Sequence, residues 1–99
     1  MKTQTRISLT SIVSNTETNT EGIRLFCVIS KAIKNDESLI LEIDSNTALS
    51  SSFLNSSLGE IIDTYSIDIL KSVLRIESSR TQFDRINSYL IKYNDIYSS

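Results

Sequence analysis

The chain has no proline, no histidine and no tryptophan, and only two glycines and one cysteine among its 99 residues. Without histidine, and with a lone thiol, it lacks the usual ligands of a structural zinc, an iron–sulfur cluster or a haem, and it cannot close an internal disulfide. No cofactor or metal is expected. Long apolar runs are missing as well. No stretch approaches the roughly 18 apolar residues of a membrane span, and the opening Met1-Lys2-Thr3-Gln4-Thr5-Arg6 is not followed by the apolar core of a secretion signal. A cytoplasmic protein with no membrane association is the expectation. An excess of positive charge is absent too: the net charge is -2 and the isoelectric point is near 5.0. Arg75, Arg80 and Arg85 come nearest to a basic patch, and Glu77 and Asp84 dilute it. Duplex binding draws most of its affinity from several cations on one face, so nucleic acid is not an expected partner. Asn55-Ser56-Ser57 matches a glycosylation sequon, but in a serine-rich chain without a secretion signal the match carries no weight.

What is present is a globular composition, 39% hydrophobic and 22% charged, in a length suited to one small domain over residues 1–99. Arg6-Ile7-Ser8-Leu9-Thr10 alternates polar and apolar with period two, and Ile12 and Val13 extend it, which predicts a half-buried strand. After a polar loop over Ser14 to Asn19, Thr18 and Glu21 have the spacing of a capping box. Leu25, Phe26, Ile29 and Ile33 then recur at helical spacing, and Lys31 and Lys34 suit a helix C-terminus. A first helix from about Thr20 to Lys34 follows. Ser38 to Asp44 is short and almost continuously apolar, as expected of a central strand covered on both faces.

Beyond the turn at Ser45 to Leu49, the residues Phe53, Leu54, Leu58, Ile61, Ile62 and Tyr65 predict a second amphipathic helix. Gly59 inside it costs roughly 1 kcal/mol relative to Ala, which implies either a close approach to the sheet or simple tolerance. Tyr65 to Ile69 reads as a connection and Val73 to Glu77 as a third strand. Ser79 and Gln82 make another capping box, opening a third helix whose stripe is Phe83, Ile86, Leu90, Tyr93 and Tyr97. The order β-α-β-α-β-α with short connections predicts a single α/β domain, a mostly parallel sheet with helices packed against it.

Chemistry that would identify a reaction is missing, and no enzyme is expected. Asp44 ends the central strand with no acid or base at fixed spacing, so a turn carboxylate or a cap is the ordinary role for it. Cys27 lies among Phe26, Val28 and Ile29 with no histidine to activate it, and is expected to be a buried small hydrophobe. The carboxyl ends of strands are where sites collect in α/β folds, and there Asp44 leads through a loop to Ser50-Ser51-Ser52-Phe53-Leu54. A serine at a helix start caps backbone N–H groups, and an exposed one is a phosphate acceptor.

The run Leu39-Ile40-Leu41-Glu42-Ile43-Asp44, the loop, and Ser50-Ser51-Ser52-Phe53-Leu54-Asn55 with Gly59 resemble the STAS-like family of small bacterial proteins, relatives of the STAS domains of anti-sigma-factor antagonists. The likeness also takes in Gly22 and the strand at Val73 to Ile76. The resemblance implies helices on a sheet and a regulatory, signalling role. It also implies a protein partner, a histidine-kinase-like ATPase or an anti-sigma-like protein, held through the loop and helix starting at Ser50. Asp44, Ser50, Ser51, Ser52 and Asn55 are the implied partner-binding residues, with Ser51 and Ser52 matching the phosphorylatable serine of the antagonists. The pattern departs at Leu49 and Ser50, where an aspartate would precede, and at Phe53, where a glycine would follow. A different expectation comes from the last helix. Tyr89, Ile91 and Ile96 widen its apolar arc, so Tyr89, Tyr93 and Ile96 are candidates for a homodimer face without any phospho-switch, a sheet edge also taking part.

Overall fold

The computed structural model describes residues 3–97, the side chain of Tyr97 excepted, so that residue's place in the predicted stripe lies outside the described set. Three strands, β1 (Gln4–Ser8), β2 (Ser38–Glu42) and β3 (Leu74–Glu77), form one parallel sheet in the order β1-β2-β3. The predicted α/β architecture and the central place of β2 are observed. In register across the sheet stand Thr5, Leu39 and Leu74, then Arg6, Ile40 and Arg75, then Ile7, Leu41 and Ile76, then Ser8, Glu42 and Glu77. Side chains alternate between faces, so Ile7, Leu39, Leu41, Leu74 and Ile76 share one face, and Arg6, Ile40, Glu42, Arg75 and Glu77 share the other.

That second face is open, which corrects the expectation that β2 is covered on both sides. Arg6 lies across Glu42 and Glu77 there, its guanidinium 3.2 Å from Glu42 and in contact with Glu77, with all three side chains about half exposed. Among the described strand residues, only Ile40 brings apolar surface to this side, half-buried among those polar chains. The physical reason lies in the strand order. Two successive right-handed crossovers between neighbouring parallel strands place their helices on the same face. The fold therefore has two layers.

The strand predicted over Arg6–Thr10 stops at Ser8, because the chain turns at once into a single helical turn, α1 (Leu9–Ile12), that buries Leu9. Helix α2 (Asn19–Lys34) begins at the Thr18 cap, whose side chain accepts from the Glu21 N–H at 3.4 Å. The capping box is only half made. The Glu21 carboxylate accepts from the Ser14 N–H and pairs with Arg24 at 2.9 Å, and the Thr18 N–H goes to Asn15 at 3.2 Å. At the far end Asp36 takes a left-handed φ of 54°. Its N–H bonds Ile33 O and the next N–H bonds Ala32 O at 2.8 Å, a Schellman closure.

Three abutting pieces, Ser51–Leu54, Asn55–Gly59 and Glu60–Thr64, make one continuous rod, α3, with helical dihedrals at both junctions. Its middle piece is a widened π-type turn. There Ser56 and Ser57 bond back to the carbonyls of Ser52 and Phe53, each at 2.7 Å, in competition with the backbone N–H groups. Phe53 is 1% exposed and sits in the core with Leu25, Ile29, Leu41 and Ile61. Burying such a side chain is worth roughly 1.5–3 kcal/mol.

Both glycines mark close approaches. A Cβ at Gly22 would collide with Ser56 Oγ and lie 2.7 Å from the Phe53 carbonyl oxygen, so α2 and α3 touch backbone to backbone. At Gly59 the neighbour is the Tyr93 ring at 2.9 Å, not the sheet that the sequence suggested.

The segment from Ile67 onward, read as a connection, holds the short helix α4 (Ile67–Val73), capped by Ser66. It takes Val73 from the predicted third strand. The last helix, α5 (Arg80–Tyr97), buries Ile86 and Leu90 as its periodicity predicts. Phe83 is not in the stripe: it is 45% exposed beside β3. Cys27 is also exposed, on the outer side of α2, which corrects its assignment to the core. The radius of gyration of 12.4 Å is close to the roughly 13 Å of one compact domain of this length.

Candidate functional site

The loops that leave the carboxyl ends of β1 and β2 are stitched together. Thr16 donates its hydroxyl to Ala48 O, Ser50 N–H bonds Thr16 O at 3.0 Å, and Ser50 Oγ donates to Glu17 O at 2.8 Å. The same Ser50 oxygen accepts from the Phe53 N–H at 3.0 Å, which caps α3. Ser50 thus spends its hydroxyl on holding the elbow in place. Asp44 closes the preceding turn: its carboxylate accepts from the Asn46 N–H at 2.9 Å and its carbonyl from the Thr47 N–H at 3.0 Å. This is the ordinary turn role the sequence suggested, and the carboxylate remains exposed.

Ser51, Ser52 and Asn55 lie on the solvent side of the first turns of α3, all three exposed. Their placement follows from Phe53 and Leu54, which turn inward and leave the positions on either side outward. Asn55 accepts a hydrogen bond from the Tyr89 hydroxyl, and the Tyr93 hydroxyl donates to Asp63 at 2.7 Å. The two tyrosine rings stand 5.8 Å apart and tilted. Helix α5 is thereby fixed alongside α3. Between them runs a cleft of about 300 Å³ lined by Ser51, Asn55, Tyr89, Lys92, Tyr93 and Ile96. Residues that the sequence assigned to two separate surfaces thus share one, and Ile96, 60% exposed, forms its apolar lip. Lys92, which sequence reasoning passed over, adds a cation.

A second feature was missed. The Gln82 backbone N–H donates to the Ser79 Oγ cap at 3.2 Å, while its side-chain amide turns away to donate to Thr47 O at 2.7 Å. The amide oxygen of Gln82 is buried and unpartnered. Gln82 as a residue also lines a cavity of about 190 Å³, together with Thr47, Leu49, Leu54, Arg85 and Ile86. The capping-box spacing was the only signal for this residue, and it pointed to the helix start, not across to the neighbouring loop.

Electrostatics adds one perturbed acid at this end of the molecule. The Ser14 N–H, aided by Arg24, holds the Glu21 carboxyl below the usual carboxylate range against the opposing effect of burial. On the open sheet face Glu77 and then Glu42 raise Arg6 above its ordinary value. Among the described residues no group of three or more metal-ligating side chains is placed to hold an ion, and no helix is long and apolar enough to cross a membrane. Compared with protein-family models, curated proteins and solved structures, the chain matches none.

Proposed function

We propose that the chain is a non-enzymatic regulatory module that binds a protein partner through the cleft between the start of α3 and the outer side of α5. The observation that carries this reading is the composition of that cleft. Exposed hydroxyl and amide groups at Ser51 and Asn55 stand beside aromatic edges, an exposed Ile96 and a cation at Lys92. Rigid aromatic rings with polar tips, next to a small apolar surface, are the make-up of protein interfaces. The STAS-like resemblance names the partner class, a histidine-kinase-like ATPase or an anti-sigma-like protein of bacterial signalling in the cytoplasm. A phosphate on Ser51 or Ser52 would add about -1.5 to -2 charge at this rim and regulate the contact.

Affinity capture from the native host with the full chain, read by mass spectrometry, tests the proposal. Recovery of a kinase-like ATPase, lost when Ser51→Glu and Ser52→Glu are combined, is expected, with the circular dichroism spectrum unchanged. Capture of no such ATPase, or equal capture by the double variant, would overturn it. A homodimer through α5 is the weaker reading. The hydroxyls of Tyr89 and Tyr93 bond Asn55 and Asp63 within the chain, so the exposed apolar surface near them on α5 comes from Ile91 and Ile96.

A further inference from the structure

Among the described residues, no strand lies against the outer edge of β3. Which of its backbone groups face outward follows from one hydrogen bond, Ile43 N–H to Glu77 O at 2.9 Å, which turns the Glu77 peptide groups toward β2. Alternation along the strand then points the Ile76 N–H and C=O away from the sheet. The Leu74 N–H is consumed by Leu70 O at the end of α4, so Ile76 is the centre of the available edge. Beside it runs an apolar trough of about 380 Å³ whose walls include Leu74, Ile76, Phe83, Ile86 and Leu90. The edge carries no proline and no bulge of the kind that blocks strand addition.

We propose that this edge pairs with the β3 edge of a second copy, antiparallel and two-fold, with Ile76 opposite Ile76. The occupant and the register both follow from charge. With Ile76 as the hydrogen-bonded pair, the flanking positions are non-hydrogen-bonded pairs, whose Cα atoms approach to about 4.5 Å and whose side chains are closest. In this register each Arg75 faces the other copy's Glu77, twice by symmetry, on the open face of the sheet. Shifting the symmetric register one step in either direction sets Arg75 against Arg75 or Glu77 against Glu77. Arg75 has no ion-pair partner among the described residues, and Arg6 occupies only Oε2 of Glu77. On the other face Ile76 meets Ile76, and the trough with Phe83 is covered. The β1 edge offers no such match, since it carries Arg6 and no acid.

The pairing is independent of the cleft between α3 and α5, and a charge-complementation experiment separates them. Sedimentation of the wild-type chain over a dilution series should show a monomer–dimer equilibrium. Arg75→Glu alone opposes two carboxylates and Glu77→Arg alone opposes two guanidinium groups, so each variant should dimerise about tenfold more weakly or worse. Mixing the two variants restores both ion pairs, and a heterodimer should return with near wild-type affinity. Thermal melts by circular dichroism check that both variants fold. A wild-type chain that stays monomeric throughout, variants that dimerise as well as wild type, or a mixture with no heterodimer would overturn the proposal. A dimer broken by Ile96→Glu but not by Arg75→Glu would overturn it in favour of α5.

Discussion

Replacing Gly22 by alanine is the most informative single perturbation of the fold. One methyl group is added where α2 crosses α3, at a point 2.7 Å from the Phe53 carbonyl oxygen, 3.1 Å from Ser56 Cβ and in collision with Ser56 Oγ. The hydroxyl can rotate away, but the carbonyl belongs to the backbone of α3 and moves only if the helices separate. Overpacking costs of about 1–3 kcal/mol apply at their upper end, and the better helix propensity of alanine returns roughly 1 kcal/mol. A net loss of about 2 kcal/mol follows, or a fall in melting temperature of roughly 8–16 °C for a domain of this size. Urea denaturation followed by circular dichroism measures it. Adding Ser56→Ala to Gly22→Ala should recover only part of the loss, since the carbonyl contact remains. The control is Gly59→Ala, where the obstructing atoms are the tip of the half-buried Tyr93 ring, a side-chain end and not backbone, which can shift at the expense of its exposed bond to Asp63. Its net effect should stay within about 1 kcal/mol. An unchanged or raised midpoint for Gly22→Ala would refute the backbone-to-backbone crossing.

Three further outcomes are expected. Glu21 has a folded-state acidity stronger than in the unfolded chain, so its contribution is present above the unfolded pKa and is lost as pH falls through the folded one; Glu21→Gln should flatten the acid side of a plot of urea midpoint against pH. Asp36→Gly should stabilise by about 1 kcal/mol in the same assay, because the left-handed φ penalises a side chain and not a glycine. Ser50→Ala removes both a cap and the tie to Glu17 and should cost about 1–2 kcal/mol, whereas Ser51→Ala, exposed and away from the core, should stay within about 0.5 kcal/mol.

The helices were legible where periodicity and caps agreed. Leu25, Ile29 and the Thr18 cap located α2, and Ile86, Leu90 and the Ser79 cap located α5. Helix α4 was not, because seven residues give the pattern too few turns and Val73-Leu74 carries a β-type signature. The open sheet face escaped because a continuous apolar run is also what one buried face plus a single half-buried Ile40 produces. Capping boxes fixed the helix starts but misled about side chains: Glu21 and Gln82 reach other loops instead of closing back on the cap. At the candidate site the exposed Ser51 and Ser52 follow from the neighbouring inward Phe53 and Leu54. The juxtaposition of Ser51 and Asn55 with Tyr89, Tyr93 and Ile96 was beyond the sequence, since it depends on how α5 lies against α3.

The proposed partner-binding surface is tested most directly by hydrogen–deuterium exchange on the chain alone and in complex with an ATPase recovered by that capture experiment. New protection confined to the first turns of α3 and to the stretch of α5 around Tyr89 to Ile96 is the expected footprint. Protection falling instead on the open sheet face, with the α3 and α5 amides exchanging as in the free chain, would contradict the proposal.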